Sequence, residues 1–182
     1  TNNGVTFPNA YICSQSGSED KEWITTDLSP VSPHYNSLYI SWTSFSLGGI
    51  RLVKSTNSGV NWTANPIAIS NPTASVQGSN ICISRNGQVN VVWLGFSGNQ
   101  NIDFNRSTDG GATFGTVTTI AAGPFPEGLP NDVITCPWVA SDNSTGPRSG
   151  WLYVVWADNR NGDCDVFFMR STNAGTNWST PT

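Results

Sequence analysis

Ser107-Thr-Asp-Gly-Gly-Ala-Thr-Phe114 is one of three versions of a single eight-residue stretch. The others are Ser55-Thr-Asn-Ser-Gly-Val-Asn-Trp62 and Ser171-Thr-Asn-Ala-Gly-Thr-Asn-Trp178. The shared form is Ser-Thr-(Asp/Asn)-x-Gly-x-(Thr/Asn)-(Trp/Phe), and its letters describe a tight turn. The Asp or Asn side chain can accept hydrogen bonds from the backbone N–H groups just after it and tolerates a left-handed backbone. Gly59, Gly111 and Gly175 supply a positive φ without steric cost. The closing aromatic is large enough to pin the loop back onto a sheet.

Each copy follows an apolar run of strand character: Ile50-Arg-Leu-Val-Lys54, Ile102-Asp-Phe-Asn-Arg106 and Val166-Phe-Phe-Met-Arg170. A second run precedes each of these and carries a Trp, at Trp42, Trp93 and Trp156. From that Trp to the signature Ser the spacing is 13, 14 and 15 residues, and successive signature Ser residues lie 52 and 64 apart. First strands are expected over 23–27, 80–84 and 138–142, and fourth strands over 66–69 and 116–120. The third unit ends at Thr182 with its fourth strand missing or barely begun. Four strands at a period of roughly 50 residues predict radial repetition into an all-β propeller. The units are expected at 20–76, 77–130 and 131–182, with 1–19 carrying one or two strands (5–7 and 10–13) of a neighbouring unit. Three such units do not close a ring, since propellers need roughly four to eight. The expectation is therefore half of a six- or seven-bladed chain, or several copies completing one another.

Composition agrees with short strands and many turns. Charged residues make up only 11% of the chain, against about 25% in average domains, and Ser, Thr and Asn carry the polar load. A net charge of −4 gives no basic footprint for nucleic acid. No apolar run approaches the roughly 18 residues of a membrane-spanning helix. Cys13, Cys82, Cys136 and Cys164 form no CxxC pair, and His34 is the only histidine, so a zinc site is not expected. An even cysteine count in such a chain suits two disulfides in an oxidising compartment, with Cys136–Cys164 the first pair to test. The competing expectation for Cys82 is a small buried hydrophobe.

The turns resemble the Asp-box of the bacterial neuraminidase repeat, Ser-x-Asp-x-Gly-x-x-Trp, of sialidase-like β-propellers. The resemblance covers about residues 20–180, with Asn57 and Asn173 in place of Asp and Phe114 in place of Trp. It implies that the turn residues (Ser55, Asn57, Gly59, Trp62; Ser107, Asp109, Gly111, Phe114; Ser171, Asn173, Gly175, Trp178) are structural, on the face opposite the functional one. The functional face then collects 14–22, 44–49, 70–79, 95–101, 121–136 and 157–165. A sialidase-like site, as the resemblance implies, needs three arginines gripping a carboxylate, a Tyr–Glu nucleophile pair and an Asp acid/base; bidentate guanidinium pairing is the physical reason for the arginines. The chain has few such parts. Arg106 and Arg170 directly precede the signature Ser, and Arg85 and Arg148 fall in first-to-second-strand loops of that same face.

The candidates that remain are Asp132, Asp158 and Arg160 for catalysis, and Asp20, Glu22, Trp151 and Arg160 for ligand binding. Trp151 is either a sugar-stacking platform or a wedge between units. Asp158, Asp163 and Asp165 alternate around Gly162 as Ca²⁺ donors would, without matching an EF-hand loop. The resulting expectation is a secreted or cell-surface propeller module that is non-catalytic, binds carbohydrate or assembles with other copies, does not insert in membranes, and needs no cofactor except a possible Ca²⁺. The alternative is an exo-acting glycoside hydrolase whose other residues lie outside this segment.

Overall fold

A computed structural model describes residues 6, 9–14, 17–96, 100–123 and 136–182. Eleven strands form three antiparallel meanders, and no helix occurs among the described residues. Sheet 1 runs β1 (Glu19–Thr26), β2 (Leu38–Ser44), β3 (Ile50–Ser55) and β4 (Ile67–Ala68). Sheet 2 runs β5 (Val76–Ile83), β6 (Val89–Gly95), β7 (Asn101–Ser107) and β8 (Thr118–Ala122). Sheet 3 runs β9 (Trp138–Ser141), β10 (Leu152–Asp158) and β11 (Asp165–Ser171). Where a fourth strand would follow in sheet 3, Thr182 exchanges backbone hydrogen bonds with Phe168 at 2.9 and 3.0 Å.

The registers are equivalent. Leu38, Val89 and Leu152 lie opposite Ser55, Ser107 and Ser171, and Ser41, Val92 and Val155 lie opposite Leu52, Phe104 and Phe168. Two-residue alternation then sends one side-chain row to each face of a sheet, and the sheets stack through those rows. Tyr39, Ile50 and Leu52 of sheet 1 meet Ile81, Val89, Val91 and Trp93 of sheet 2. On the other side of sheet 2, Val92, Leu94, Ile102 and Phe104 meet Val139, Leu152, Val154 and Trp156 of sheet 3. Strand β5 lies against both β1 and β9, so the first strands share one inner edge.

Two expectations are corrected here. Residues 10–13 are irregular rather than a strand; of the companion stretch 5–7, Val5 and Phe7 lie outside the described residues. The Cys136–Cys164 disulfide is not formed, nor is any other among the four cysteines, all of which are described. The reason is placement: Cys136 sits on the inner edge against Gly78, whereas Cys164 is exposed in the turn between β10 and β11. Cys82 packs against the core shared by sheets 2 and 3. Burial pushes its thiol up to about 12, so it is inert at neutral pH.

Strands β1 and β5 also begin four residues before the expected starts. In both a bulge sets two residues against one: Lys21 and Glu22 against Trp42, and Gly78 and Ser79 against Trp93. Lys21 has φ 53° and Gly78 φ 67°. The bulge breaks the alternation by which a strand is recognised, and it carries each first strand onward along the inner edge.

Candidate functional site

The signature turns have one geometry, repeated three times. Ser107 Oγ donates to Asp109 Oδ1 at 2.6 Å and accepts from the Gly111 N–H at 2.8 Å, and Asp109 Oδ1 accepts from the Thr113 N–H at 2.9 Å. Ser55 with Asn57, Gly59 and Asn61 makes the same three bonds, as does Ser171 with Asn173, Gly175 and Asn177. Asn serves as well as Asp because only an acceptor oxygen is required. The hydrogen bonds from Ser107 and then Thr113 hold the Asp109 carboxyl well below the usual carboxylate range. In each turn the Ser hydroxyl and the Asp or Asn acceptor oxygen are occupied by partners within the same turn.

The inner edge has the opposite character, because its equivalent positions differ. Trp23, Asn80 and Trp138 occupy one register position, and Lys21, Gly78 and Cys136 stand two residues before them. Sheet 2 contributes the small residues. A β-carbon on Gly78 would lie 2.1 Å from Cys136 Sγ and 3.7 Å from Lys21 Cδ. Asn80 is buried and accepts a hydrogen bond from the Val139 N–H at 2.9 Å. Over this recess sheets 1 and 3 reach each other: the rings of Trp23 and Trp138 meet edge to face, centroids 4.3 Å apart at 75°. With Asp20, Lys21, Glu22 and Cys136 they line an open cleft of ≈ 510 Å³. Lys21 Nζ donates to Asp20 Oδ2 at 2.8 Å, with both side chains partly exposed. Burial, together with Asp20 and against the pull of Lys21, raises the Cys136 pKa, so that residue stays a thiol. The cleft therefore offers two half-exposed indoles, two carboxylates and one ammonium, a set that can stack on an apolar ring face and exchange hydrogen bonds with hydroxyls.

Of the expected ligand-binding residues, Asp20 and Glu22 are brought together here. Arg160 and Trp151 are not. Asp158 is fully buried and accepts from the Arg160 N–H at 2.8 Å, from Arg160 Nε at 2.9 Å and from Trp156 Nε1 at 3.1 Å. Burial alone would raise its pKa; the Arg160 and Trp156 hydrogen bonds and the guanidinium charge outweigh that and hold it below the usual range. Arg160 in turn donates to Ala122 O and lies 4.7 Å from the Phe167 ring centre. This ion pair sits at the end of β10, with Asp158 buried and Arg160 partly exposed. Trp151 precedes β10 at the signature-turn end, between the guanidinium groups of Arg148 (5.9 Å) and Arg170 (5.8 Å).

Asp165 accepts from Asn161 at 3.1 Å and Asp163 is exposed. No three His, Cys, Asp or Glu among the described residues are placed to share an ion, so Asp158, Asp163 and Asp165 are not assembled as a Ca²⁺ donor set. Asp132 lies outside the described residues. All eight lysines and arginines are described, and Lys21 alone lines the cleft. Arg51 is bound to the carbonyls of Leu47 and Gly48, and Lys54 and Arg106 to those of Gly110 and Ala174. No trio of arginines converges on one point. The residues missed from sequence were Trp23, Trp138 and Cys136; the available signal was Trp at matching register in the first and third units, with Asn between.

No protein-family model and no curated protein matches the chain by sequence. By structure it is similar to an α-L-arabinofuranosidase from Clostridium thermocellum, with 16% identity and a TM-score of 0.51, over 82% of this chain and 47% of the other. It is similar to an endo-arabinase from Bacteroides thetaiotaomicron, with 13% identity and a TM-score of 0.51, over 80% of this chain and 55% of the other. An intramolecular trans-sialidase from Ruminococcus gnavus aligns with 15% identity and a TM-score of 0.48, over 80% of this chain and 32% of the other. The first two share the fold, an arrangement of antiparallel sheets found in propeller enzymes. The chain spans about half of their length or less.

Proposed function

We propose that this chain is a β-propeller segment of Asp-box type, with blades at 20–76, 77–130 and 131–182, whose inner cleft binds carbohydrate outside the cell without turning it over. The observation that carries this reading is the Trp23–Trp138 pair, held open above Gly78 and Asn80 and flanked by Asp20, Glu22 and Lys21. Half-exposed indoles are costly to leave in water and suit the apolar face of a sugar ring. The folds it resembles belong to carbohydrate-acting proteins, which supports the ligand class.

The ligand is a neutral glycan rather than a sugar acid. Asp20 and Glu22 give the cleft a negative sign, its one cation is already paired with Asp20, and every arginine is engaged or placed elsewhere. A carboxylated sugar would meet repulsion without bidentate pairing to offset it.

The test is binding of the 182-residue chain to a panel of neutral and sialylated oligosaccharides, with product analysis by mass spectrometry. Neutral glycans retained unchanged are the expected result. Preference for sialylated ligands would overturn the ligand class, and released sugar would favour a glycoside hydrolase using Asp20 and Glu22.

A further inference from the structure

Charge is sorted between the two ends of the sheets. Five of the eight basic residues, Lys54, Arg85, Arg106, Arg148 and Arg170, stand at the signature-turn end. The described acidic residues there are Asp27, Asp109 and Asp142, and local donors occupy all three. Asp27 is buried and accepts from the Ser29 N–H at 3.0 Å, Asp109 is held within its own turn, and Asp142 accepts from the Ser144 N–H at 2.9 Å. Both ion pairs among the described residues, Lys21–Asp20 and Arg160–Asp158, lie at the opposite end. The turn end of a chain with net charge −4 thus carries an excess of cations outside any ion pair.

Four of these five cations have a local use. Lys54 and Arg106 donate to the carbonyls of Gly110 and Ala174, and Arg148 and Arg170 lie near the Trp151 ring. Arg85 does not. Alone among the eight basic residues, its side chain makes no hydrogen bond, ion pair or ring contact with a described residue. It is nonetheless half-buried, and a guanidinium partly withdrawn from water without a partner is unfavourable. Its backbone is fixed. The Arg85 carbonyl accepts from Ser29 Oγ at 2.5 Å, and the Gly87 N–H donates to the Ser84 carbonyl at 2.8 Å. A β-carbon on Gly87 would lie 2.4 Å from Ser32 Oγ, so the turn is clamped against the sheet 1 loop.

Loop lengths make a pocket around this side chain. The β5–β6 turn spans only 84–88, whereas loops 27–37 of sheet 1 and 142–151 of sheet 3 are longer and flank it. Val31, Arg85, Asn86, Ser149 and Gly150 line a space of ≈ 260 Å³ between them. All five stand in these three loops, none on an outer face of the stack, and no carboxylate is among them. Asn86 Oδ1 accepts from the Gln88 N–H at 3.3 Å, which leaves the amide N–H groups of Asn86 as donors, and Ser149 adds a hydroxyl. A β-carbon on Gly150 would meet nothing within 4 Å, so the sheet 3 wall is open to an entering group. We infer that this pocket is an oxyanion site: Arg85 pairs with a carboxylate, sulfate or phosphate group, and Asn86 and Ser149 donate to its remaining oxygens. A guanidinium fork matches two oxygens of such a group. The volume falls below the roughly 300–1,000 Å³ of drug-sized ligand sites and suits one acidic group rather than a polyanion. The site lies past the ends of the first strands, apart from the Trp23–Trp138 cleft, and does not depend on what that cleft binds.

Isothermal titration of the 182-residue chain with sodium sulfate, at an ionic strength held constant with sodium chloride, tests the site. Saturable binding of one sulfate is expected. Arg85→Gln is expected to weaken it at least about tenfold, as loss of a charge-assisted hydrogen bond does. The urea midpoint is expected to stay unchanged, because the Arg85 side chain supports no other residue. Arg148→Gln removes the same charge from the same end and is expected to change the dissociation constant by less than about twofold, the share of a screened field. Glucuronic acid and glucose 6-sulfate, compared with glucose, identify the source. Acidic sugars bound more tightly than sulfate make the ligand an acidic saccharide, the reverse makes it a free ion, and either upholds the site. Sialylated ligands held by the wild type and lost in Arg85→Gln belong here, whereas neutral glycan binding in the cleft is expected to survive that substitution, so the two readings fail separately. Sulfate binding that does not saturate, or equal losses in Arg85→Gln and Arg148→Gln, would reduce the effect to the diffuse field of the turn end and overturn the site.

Discussion

The two ends of the molecule are built on opposite rules. At the signature-turn end three sheets carry one hydrogen-bond pattern, with Ser, Asp or Asn, and Gly at fixed places. At the inner edge the same three sheets are not alike: the position that carries Trp23 and Trp138 carries Asn80 in sheet 2, and two residues earlier stand Lys21, Gly78 and Cys136. Repetition marks what every sheet needs in order to stack on its neighbour. Divergence marks where one sheet is made to differ from the next, and in a repeat fold that is where a ligand can be recognised.

The comparison is broken most severely at the glycine seats. Gly175→Ala places a methyl group 2.5 Å from the Phe104 ring at φ 85°. It is expected to cost about 3 kcal/mol in urea unfolding, combining left-handed backbone strain of about 1–2 kcal/mol with overpacking of about 1–3 kcal/mol. Gly150, with φ 80° and nothing within 4 Å, separates the two contributions, and Gly150→Ala is expected to cost about 1–2 kcal/mol. Equal losses at the two sites would deny the seat any packing role.

Next in size is Ser107→Ala, which strands the Gly111 N–H and is expected to cost about 1–2 kcal/mol. A smaller effect separates the second turn from the other two. The folded pKa of Asp109 is depressed, so its stabilisation is present above the unfolded value of about 3.9 and is lost as pH falls through the folded value. Asn57 and Asn173 make the same bonds without titrating. Asp109→Asn is therefore expected to flatten the acid limb of the stability profile below about pH 4, measured by urea midpoints at successive pH values. An unchanged limb would show that the turn carboxylate contributes nothing.

The scaffold was more legible in the sequence than the site. Turn chemistry and the spacing from Trp to Ser are local, and both carried through to register. The starts of β1 and β5 were hidden because the bulges at Lys21 and Gly78 break two-residue alternation. The cleft was hidden for a tertiary reason: Trp23 and Trp138 belong to non-adjacent sheets and meet only because Gly78, Ser79 and Asn80 between them are small or buried. Arg160 looked available because sequence does not tell which way Asp158 turns. Trp156 Nε1 and two Arg160 nitrogens converge on that buried carboxylate, at a place where sheets 1 and 2 carry Ser44 and Gly95. Of the acidic loop, Asp158 is buried in the ion pair with Arg160, whereas Asp163 and Asp165 are exposed.

The most direct measurement compares Trp23→Ala/Trp138→Ala with Ser107→Ala in two assays, urea unfolding and glycan binding. The tryptophan variant is expected to lose at least about tenfold in affinity; its loss of stability is the roughly 0.5–1.5 kcal/mol of the aromatic pair together with the burial free energy of the covered half of each indole. Ser107→Ala is expected to lose stability and keep the affinity of the folded fraction unchanged. A tryptophan variant that binds normally, or a serine variant that folds normally and fails to bind, would contradict the division of the molecule into a repeated scaffold and a divergent site.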